Sequence, residues 1–187
     1  MSARFGFADC RAILLMSDSD ESLETQFGYI REQLKEIDFP VPARPLELAR
    51  KENKPALAVL MQPYSSVLDV AKGCLETLLI PALNEAHPRQ TACIDDMFIC
   101  SGVDQWEKKN ARDKAKVRCL ISTVYKKDPM HGLHLCFSQD IGLIPLNSRV
   151  FDKTSLVLQH FAEWSESGIK SWDEWAGSSA KAEKMEA

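Results

Sequence analysis

The fold is decided by the stretch Arg11-Ala12-Ile13-Leu14-Leu15-Met16, which leads directly into Ser17-Asp18-Ser19-Asp20. A short apolar run that ends in polar residues is typical of a strand buried on both faces, as in a parallel sheet. Asp20 or Ser22 can cap a following helix. Apolar residues spaced three and four apart predict the buried face of this helix: Leu23, Phe27, Ile30, Leu34 and Ile37. A strand followed at once by a helix predicts an α/β fold.

The rest of the chain continues to alternate strand and helix. Residues 56–61 form a second apolar run and predict a second buried strand. Helical spacing over residues 65–86 predicts a helix that bends at Pro81. Further helices are predicted over residues 88–103, 111–125 and 154–164. We therefore expect one α/β domain over residues 1–164, with a small, mostly parallel sheet and helices on both faces, followed by a polar, partly mobile tail over residues 165–187.

Composition excludes several classes of protein. The 187 residues are 45% hydrophobic and 27% charged, which excludes a disordered or fibrous chain. A net charge of −4 provides no uniformly basic surface for nucleic acid, so any such contact must be local. The apolar runs are far shorter than a membrane span. The N-terminal apolar segment is too short for a signal peptide, so a cytoplasmic protein is expected. The six cysteines form no C-x-x-C pair and predict reduced, buried thiols.

Asp18 and Asp20 are the most informative polar residues. In an extended chain, residues two apart project to the same side, and open α/β sheets bind ligands beyond the carboxyl ends of their strands. Two converging carboxylates favour a hard cation such as Mg²⁺, which completes its coordination with water and phosphate. The alternative is that Asp20 only caps the helix while Asp18 is a solvated loop residue.

The strand and its Asp-x-Asp pair resemble the corresponding motif of the Toprim (topoisomerase-primase) domain. Other segments, spread in order over about residues 11–164, resemble an uncharacterised bacterial Toprim-like family related to the nuclease half of OLD-family (overcoming lysogenisation defect) proteins. These segments are Phe39-Pro40-Val41-Pro42, Val59-Leu60-Met61-Gln62-Pro63, Gly73-Cys74-Leu75-Glu76-Thr77-Leu78-Leu79, Asp113-Lys114-Ala115-Lys116-Val117 and Phe151-Asp152. The resemblance implies a nuclease-like domain that depends on Mg²⁺ or Mn²⁺ and acts on the phosphodiesters of DNA or RNA.

The resemblance also implies roles for individual residues. Asp18 and Asp20 match the metal-binding pair, and Glu76 matches a helical glutamate that approaches the same metal centre. Lys116 matches a lysine that stabilises charge on a phosphate in the transition state. The alternatives are an exposed helix residue for Glu76 and a solvated basic patch over residues 108–118 for Lys116. Asp113 is then a helix-start or ion-pair residue.

One feature of the family has no counterpart here. Toprim enzymes carry a general acid/base glutamate at the end of an earlier strand, whereas Asp9 is the only acidic residue ahead of Asp18. Either the chain starts late relative to the family, or the glutamate comes from elsewhere, or the site is not catalytic. The competing function is therefore a non-catalytic Toprim-fold binding or assembly protein. The absent strand also predicts an open sheet edge, covered by the N-terminal segment, a protein partner or a second copy of the chain.

Other motifs that carry chemistry are missing from the sequence. It contains no phosphate-binding Gly-x-x-x-x-Gly-Lys loop, no dinucleotide-binding Gly-x-Gly-x-x-Gly and no Gly-x-Ser-x-Gly elbow. His131, His134 and Cys136 lie close in sequence, but no second cluster completes a four-ligand zinc site. ATPase, dehydrogenase, hydrolase and zinc-site functions are therefore not predicted.

Overall fold

In the part of this protein that the structure describes, two parallel strands form a sheet. A computed structural model describes residues 10–65, 72–125 and 143–167, together with Leu68, Leu133 and Phe137. Strand β1 (Ala12–Asp18) pairs with β2 (Ala56–Gln62). The pairing is parallel, because the N–H of Ala56 bonds the carbonyl of Arg11 at one end and the N–H of Ser19 bonds that of Gln62 at the other. The coarse α/β class is thereby confirmed, since five α-helices accompany this sheet in the described residues.

The helices lie close to the predicted positions. They are α1 (Leu23–Glu36), α2 (Leu75–Ala86), α3 (Pro88–Ser101), α4 (Lys109–Val124) and α5 (Asp152–Ser167), with 3₁₀ turns at Val103–Gln105 and Arg149–Phe151. Helix α5 extends three residues past the predicted end at Trp164. The described residues fall into two compact units, one of residues 10–17, 22–61 and 154–167 and the other of residues 18–21, 62–65, 72–125 and 143–153. No helix of these described parts is both long and apolar enough to cross a membrane.

In the first unit, a small core forms where α1 packs on the strands. Phe27 and Leu34 are buried against Leu57, Val59 and Met61 of β2. The side chain of Ser22 caps α1 by accepting a hydrogen bond from the N–H of Thr25. Ser22 is one of the two residues that the sequence predicted for this role. The stripe prediction is wrong at Ile37, which is 64% exposed because the helix ends at Glu36.

The two strands differ in their environments. Strand β2 is buried along its whole length, and its second edge pairs with residues 46–49 through the bridge between Ala49 and Leu57. Strand β1 is only half-buried, with Met16 44% exposed, so the prediction that both of its faces are buried is wrong. Among the described residues β1 has one strand neighbour, β2, which explains its lower burial.

In the second unit, helices α2, α3 and α4 enclose the larger core. Its centre is Leu78, Leu79, Ala82 and Leu83 of α2 against Leu120 of α4, all at most 1% exposed. Helix α2 runs through Pro81 without ending there, and the predicted bend at this residue stays a prediction. The free energy of packing the flanking leucines offsets the roughly 3 kcal/mol that an interior proline costs a helix.

Two helix boundaries in this unit differ from the prediction. Helix α2 begins at Leu75, whereas the spacing predicted a helix from residue 65. Val67 and Val70 of that predicted helix lie outside the described residues, and so do His131, His134 and Cys136 of the zinc motif considered above. Helix α3 ends at Gly102, whose φ of 75° is the left-handed conformation that terminates helices.

The five cysteines that the structure describes are free, as predicted, but only one of these five is buried, whereas burial was predicted for all. Cys74 is buried, and this burial raises the pKa of its thiol above the ordinary value. Cys93 and Cys100 lie seven residues apart and therefore on the same face of α3. Both are exposed, because this face is turned away from the core. Cys10 precedes β1 and is exposed too.

The core of the second unit predicts a large difference between two truncations. Leu120→Ala, at a fully buried position, should lower the free energy of unfolding by about 2–5 kcal/mol, because it leaves a cavity. Ile99→Ala, at a position 67% exposed on α3, should change it by less than about 0.5 kcal/mol. Urea denaturation monitored by circular dichroism measures both, and equal effects would show that α4 is not packed as described.

Candidate functional site

The turn that follows β1 is held by backbone hydrogen bonds. Asp20 pairs with Gly73 through two of them, from N–H of Asp20 to the carbonyl of Gly73 at 2.7 Å and from N–H of Gly73 to the carbonyl of Asp20 at 2.8 Å. Asp20 has a φ of +46°, so the chain turns here instead of remaining extended. The prediction that extended geometry aligns the two carboxylates is therefore wrong; the turn determines where the Asp20 side chain points.

Asp18 is bonded to the beginning of α2. Its Oδ1 accepts a hydrogen bond of 2.8 Å from the N–H of Leu75, the first residue of that helix. Helix N-termini have unpaired N–H groups and a partial positive charge, both of which favour a carboxylate. Its Oδ2 lies 3.9 Å from Nζ of Lys114, on α4. Asp18 is thus fixed between two helices and is not a solvated loop residue.

The pKa of the Asp18 carboxyl is raised above its ordinary value, chiefly because burial disfavours the charged form. The Leu75 N–H and the Lys114 ammonium act in the opposite direction, whereas the negative charges of Glu76 and Asp20 raise the pKa further. Asp18 therefore lies within electrostatic reach of both Asp20 and Glu76. We call these three carboxylates the acidic cluster.

Asp20 has a partner that the sequence did not indicate. Its Oδ1 accepts a hydrogen bond of 2.8 Å from Nδ2 of Asn110, in the first turn of α4. Asp20 therefore does not serve as the cap of α1, a role that Ser22 fills. Helix α4 reaches the acidic cluster with two side chains, Asn110 and Lys114, which lie four residues apart on one face.

The lysine predicted to act on phosphate lies elsewhere. Nζ of Lys116 is 2.6 Å from Oδ1 of Asp95, on α3, and the Lys116 side chain is only 15% exposed. Residues two apart on a helix point about 200° apart, so Lys114 and Lys116 cannot share a face of α4. The structure therefore brings Lys114 to the Asp pair and engages Lys116 with α3. Glu76, by contrast, follows Leu75 directly and is half-buried in the first turn of α2.

A buried network joins α2 to α4 beneath the cluster. The Thr77 hydroxyl donates a hydrogen bond of 2.5 Å to Oδ2 of Asp113 and accepts one of 3.2 Å from the N–H of Cys74. Asp113 is 8% exposed and also pairs with Lys109 at 2.8 Å. The ion-pair role predicted for Asp113 is confirmed, although α4 starts four residues before it.

Gln62, at the end of β2, is a polar residue whose position the sequence alone did not make notable. It is 2% exposed, and its Oε1 accepts a hydrogen bond of 2.9 Å from the N–H of Tyr64. Among the described residues nothing accepts a hydrogen bond from its buried Nε2. A buried polar residue at the end of an otherwise apolar strand is the signal that could have singled it out.

The donors of the acidic cluster suit a hard divalent cation in charge and in chemistry. Asp18 is acted on by the carboxylates of Asp20 and Glu76 and by the ammonium of Lys114, and these four groups together carry a net negative charge. In the described parts of the chain, no three His, Cys, Asp or Glu side chains converge closely enough to form a complete ligand group. Mg²⁺ commonly takes only one or two carboxylates and keeps several waters, so the Asp pair is a sufficient protein contribution.

Comparisons with protein-family models, with curated proteins and with solved structures found no match. The Toprim resemblance therefore remains a prediction from the sequence segments.

The pairing of Asp20 with Gly73 predicts an unequal response of two glycines to alanine. At Gly73, with φ of 142°, an added Cβ would lie 2.7 Å from Oγ1 of Thr77, which its two hydrogen bonds hold in place. Gly73→Ala should lower the free energy of unfolding by about 2–4 kcal/mol, from backbone strain and overpacking.

The matched control is Gly102→Ala. Its φ of 75° is also unfavourable, but no atom lies within 4 Å of the added Cβ, so the cost should be about 1 kcal/mol. Thermal and urea unfolding of both variants provide the measurement. Equal destabilisation would contradict the close approach of Gly73 to Thr77.

Proposed function

We propose that this protein is a Toprim-like phosphodiesterase that depends on Mg²⁺ or Mn²⁺ and cleaves nucleic acid. The observation that carries the proposal is the position of Asp18, which the start of α2 holds within electrostatic reach of Asp20 and Glu76. Partly buried carboxylates in mutual repulsion are stabilised by a divalent cation.

The proposal assigns a role to each residue of the cluster. Asp18 and Asp20 hold the metal, and Glu76 completes its surroundings either directly or through water. When bound, such a metal supplies a Lewis acid that polarises a phosphoryl oxygen and lowers the pKa of bound water. Asn110 orients Asp20 by donating a hydrogen bond to it, as partners of metal ligands commonly do.

Phosphate contact is assigned to Lys114 in place of Lys116. Lys114 is 48% exposed and lies 3.9 Å from Asp18, beyond hydrogen-bond length, so its ammonium is able to move to a substrate oxygen. Lys109 and Lys116 are both engaged with carboxylates of the protein, Asp113 and Asp95.

Helix α4 supports nucleic acid as the substrate class. Six cations lie between residues 108 and 118, with Asp113 as the only acidic residue among them: Lys108, Lys109, Arg112, Lys114, Lys116 and Arg118. Lys109 and Lys116 pair with carboxylates, whereas Lys108, Lys114 and Arg118 are exposed and support local contact with a phosphate backbone in a chain of net charge −4.

The metal site is tested by calorimetric titration with Mn²⁺. Wild-type protein should bind Mn²⁺ saturably, and Asp18→Asn/Asp20→Asn should weaken binding at least about tenfold, because two anionic ligands become neutral. Circular dichroism checks that the variant is folded.

The control is Asp96→Asn/Glu107→Gln, which changes the charge equally at two exposed positions of the same unit. It should bind Mn²⁺ like wild type. Absence of saturable binding to wild type, or the same loss in both double variants, would overturn the metal site.

The catalytic part is tested by cleavage of labelled single- and double-stranded DNA and RNA in the presence of Mn²⁺. Lys114→Gln should reduce the cleavage rate roughly 10²-fold, the usual effect of losing one group that stabilises transition-state charge. Lys116→Gln should change it less than about fivefold, because Lys116 pairs with the half-exposed Asp95 on α3 and not with Asp18.

A larger loss in Lys116→Gln than in Lys114→Gln would restore the prediction made from the sequence. Mn²⁺ binding without cleavage of any of the four substrates would contradict an enzyme and favour the non-catalytic binding protein.

A further inference from the structure

A second concentration of charge lies in the other unit of the chain. A cleft of about 300 Å³ is lined by Arg11, Arg50, Lys51, Lys54, Ala56 and Trp164, and we call it the basic cleft. Arg11 directly precedes β1, Arg50 to Lys54 lead into β2, and Trp164 belongs to α5. Four cationic side chains therefore face one cavity in a protein whose net charge is −4.

We propose that the basic cleft binds the phosphate group of a phosphorylated ligand. The proposal is independent of the acidic cluster, with which the cleft shares no residue. The ligand is a small phosphorylated molecule or a phosphate of a nucleic-acid strand, since both present the same chemistry to the cleft.

Two of the four cleft cations, Arg11 and Lys54, provide the positive charge that is left for a ligand. Asp38 forms an ion pair with Lys51, and its side chain is 74% exposed. Within the described ranges no carboxylate lies within 4.0 Å of Arg11 or Lys54. A phosphate monoester carries about −1.5 to −2 charges at neutral pH, so it matches this excess better than a single carboxylate does.

Aromatic rings and a turn hold the side chains in place. The Arg50 guanidinium lies 5.8 Å from the centre of the Trp164 ring, and the Lys54 ammonium lies 5.8 Å from that of Phe39. The N–H of Lys54 donates to the carbonyl of Lys51 at 3.2 Å, in a turn where Asn53 has a φ of 58°. Such cation–π contacts and turns reduce the entropy lost when a ligand orders the side chains.

The size of the cleft fits the proposed ligand. A volume of about 300 Å³ is at the lower limit of sites for small molecules. Ala56, at the start of β2, contributes only a methyl group to the lining and leaves this space open. Arginine in particular provides a planar fork that donates two hydrogen bonds to a phosphate.

The test is calorimetric titration of the full chain with inorganic pyrophosphate and, separately, with a short single-stranded oligothymidylate. EDTA is present throughout, so that no metal bound at the acidic cluster contributes. We expect at least one probe to bind, and Arg11→Gln/Lys54→Gln should weaken its binding about tenfold or more, because two charges near the ligand are lost. Binding of pyrophosphate identifies a small phosphorylated ligand, whereas binding of the oligonucleotide alone identifies a nucleic-acid strand.

Two further variants separate the cleft from general charge. Lys35→Gln/Arg44→Gln removes the same charge from exposed positions outside the cleft and should bind like wild type. Arg11→Lys/Lys54→Arg changes the same two residues but keeps their charge, so it should bind like wild type. Its binding shows that the loss in Arg11→Gln/Lys54→Gln comes from the missing charge and not from misfolding. The proposal is overturned if neither probe binds wild type, or if the two charge-removing variants weaken binding equally. Asp18→Asn/Asp20→Asn should bind both probes unchanged, which distinguishes failure of this site from failure of the metal site.

Discussion

The two backbone hydrogen bonds between Asp20 and Gly73 are the constraint on which the acidic cluster depends. They join the end of β1 to the residue that precedes the N-cap of α2. Both residues have positive φ, a conformation that costs little for glycine and more for aspartate. With the chain held there, the Asp18 carboxylate meets the first N–H of α2, and Glu76 follows in the same helical turn.

The buried network beneath the cluster provides its second support. Thr77 is the third residue of α2, and its hydroxyl is bonded both to the backbone of Cys74 and to the carboxylate of Asp113. An uncompensated buried carboxylate would be costly, and Lys109 balances its charge. The register between α2 and α4 is thereby fixed, and with it the positions of Asn110 and Lys114, which lie on either side of Asp113 in α4.

How far the sequence predicted this arrangement depended on the range of the contacts. Local patterns were sufficient for β1, α1 and β2, because an apolar run or a helical stripe is a property of neighbouring residues. The contacts of the cluster join Asp18 to Leu75, 57 residues away, and Asp20 to Asn110, 90 residues away. No spacing rule connects such distant positions. The choice between Lys114 and Lys116 was also beyond the sequence, since it depends on which face of α4 meets α3.

Asp18 has a structural role and a proposed role in holding a cation, and the chemistry of the carboxylate makes the two compatible. Its Oδ1 satisfies the N–H of Leu75, a structural role that would be needed in any protein with this turn. Its Oδ2 lies 3.9 Å from Lys114, too far for a hydrogen bond, and a carboxylate oxygen retains lone pairs for a further partner. Asparagine at this position keeps an oxygen that can accept the Leu75 hydrogen bond but loses the negative charge. The exchange of Asp18 for asparagine therefore separates the role in folding from the proposed role in holding a cation, which a change to alanine could not do.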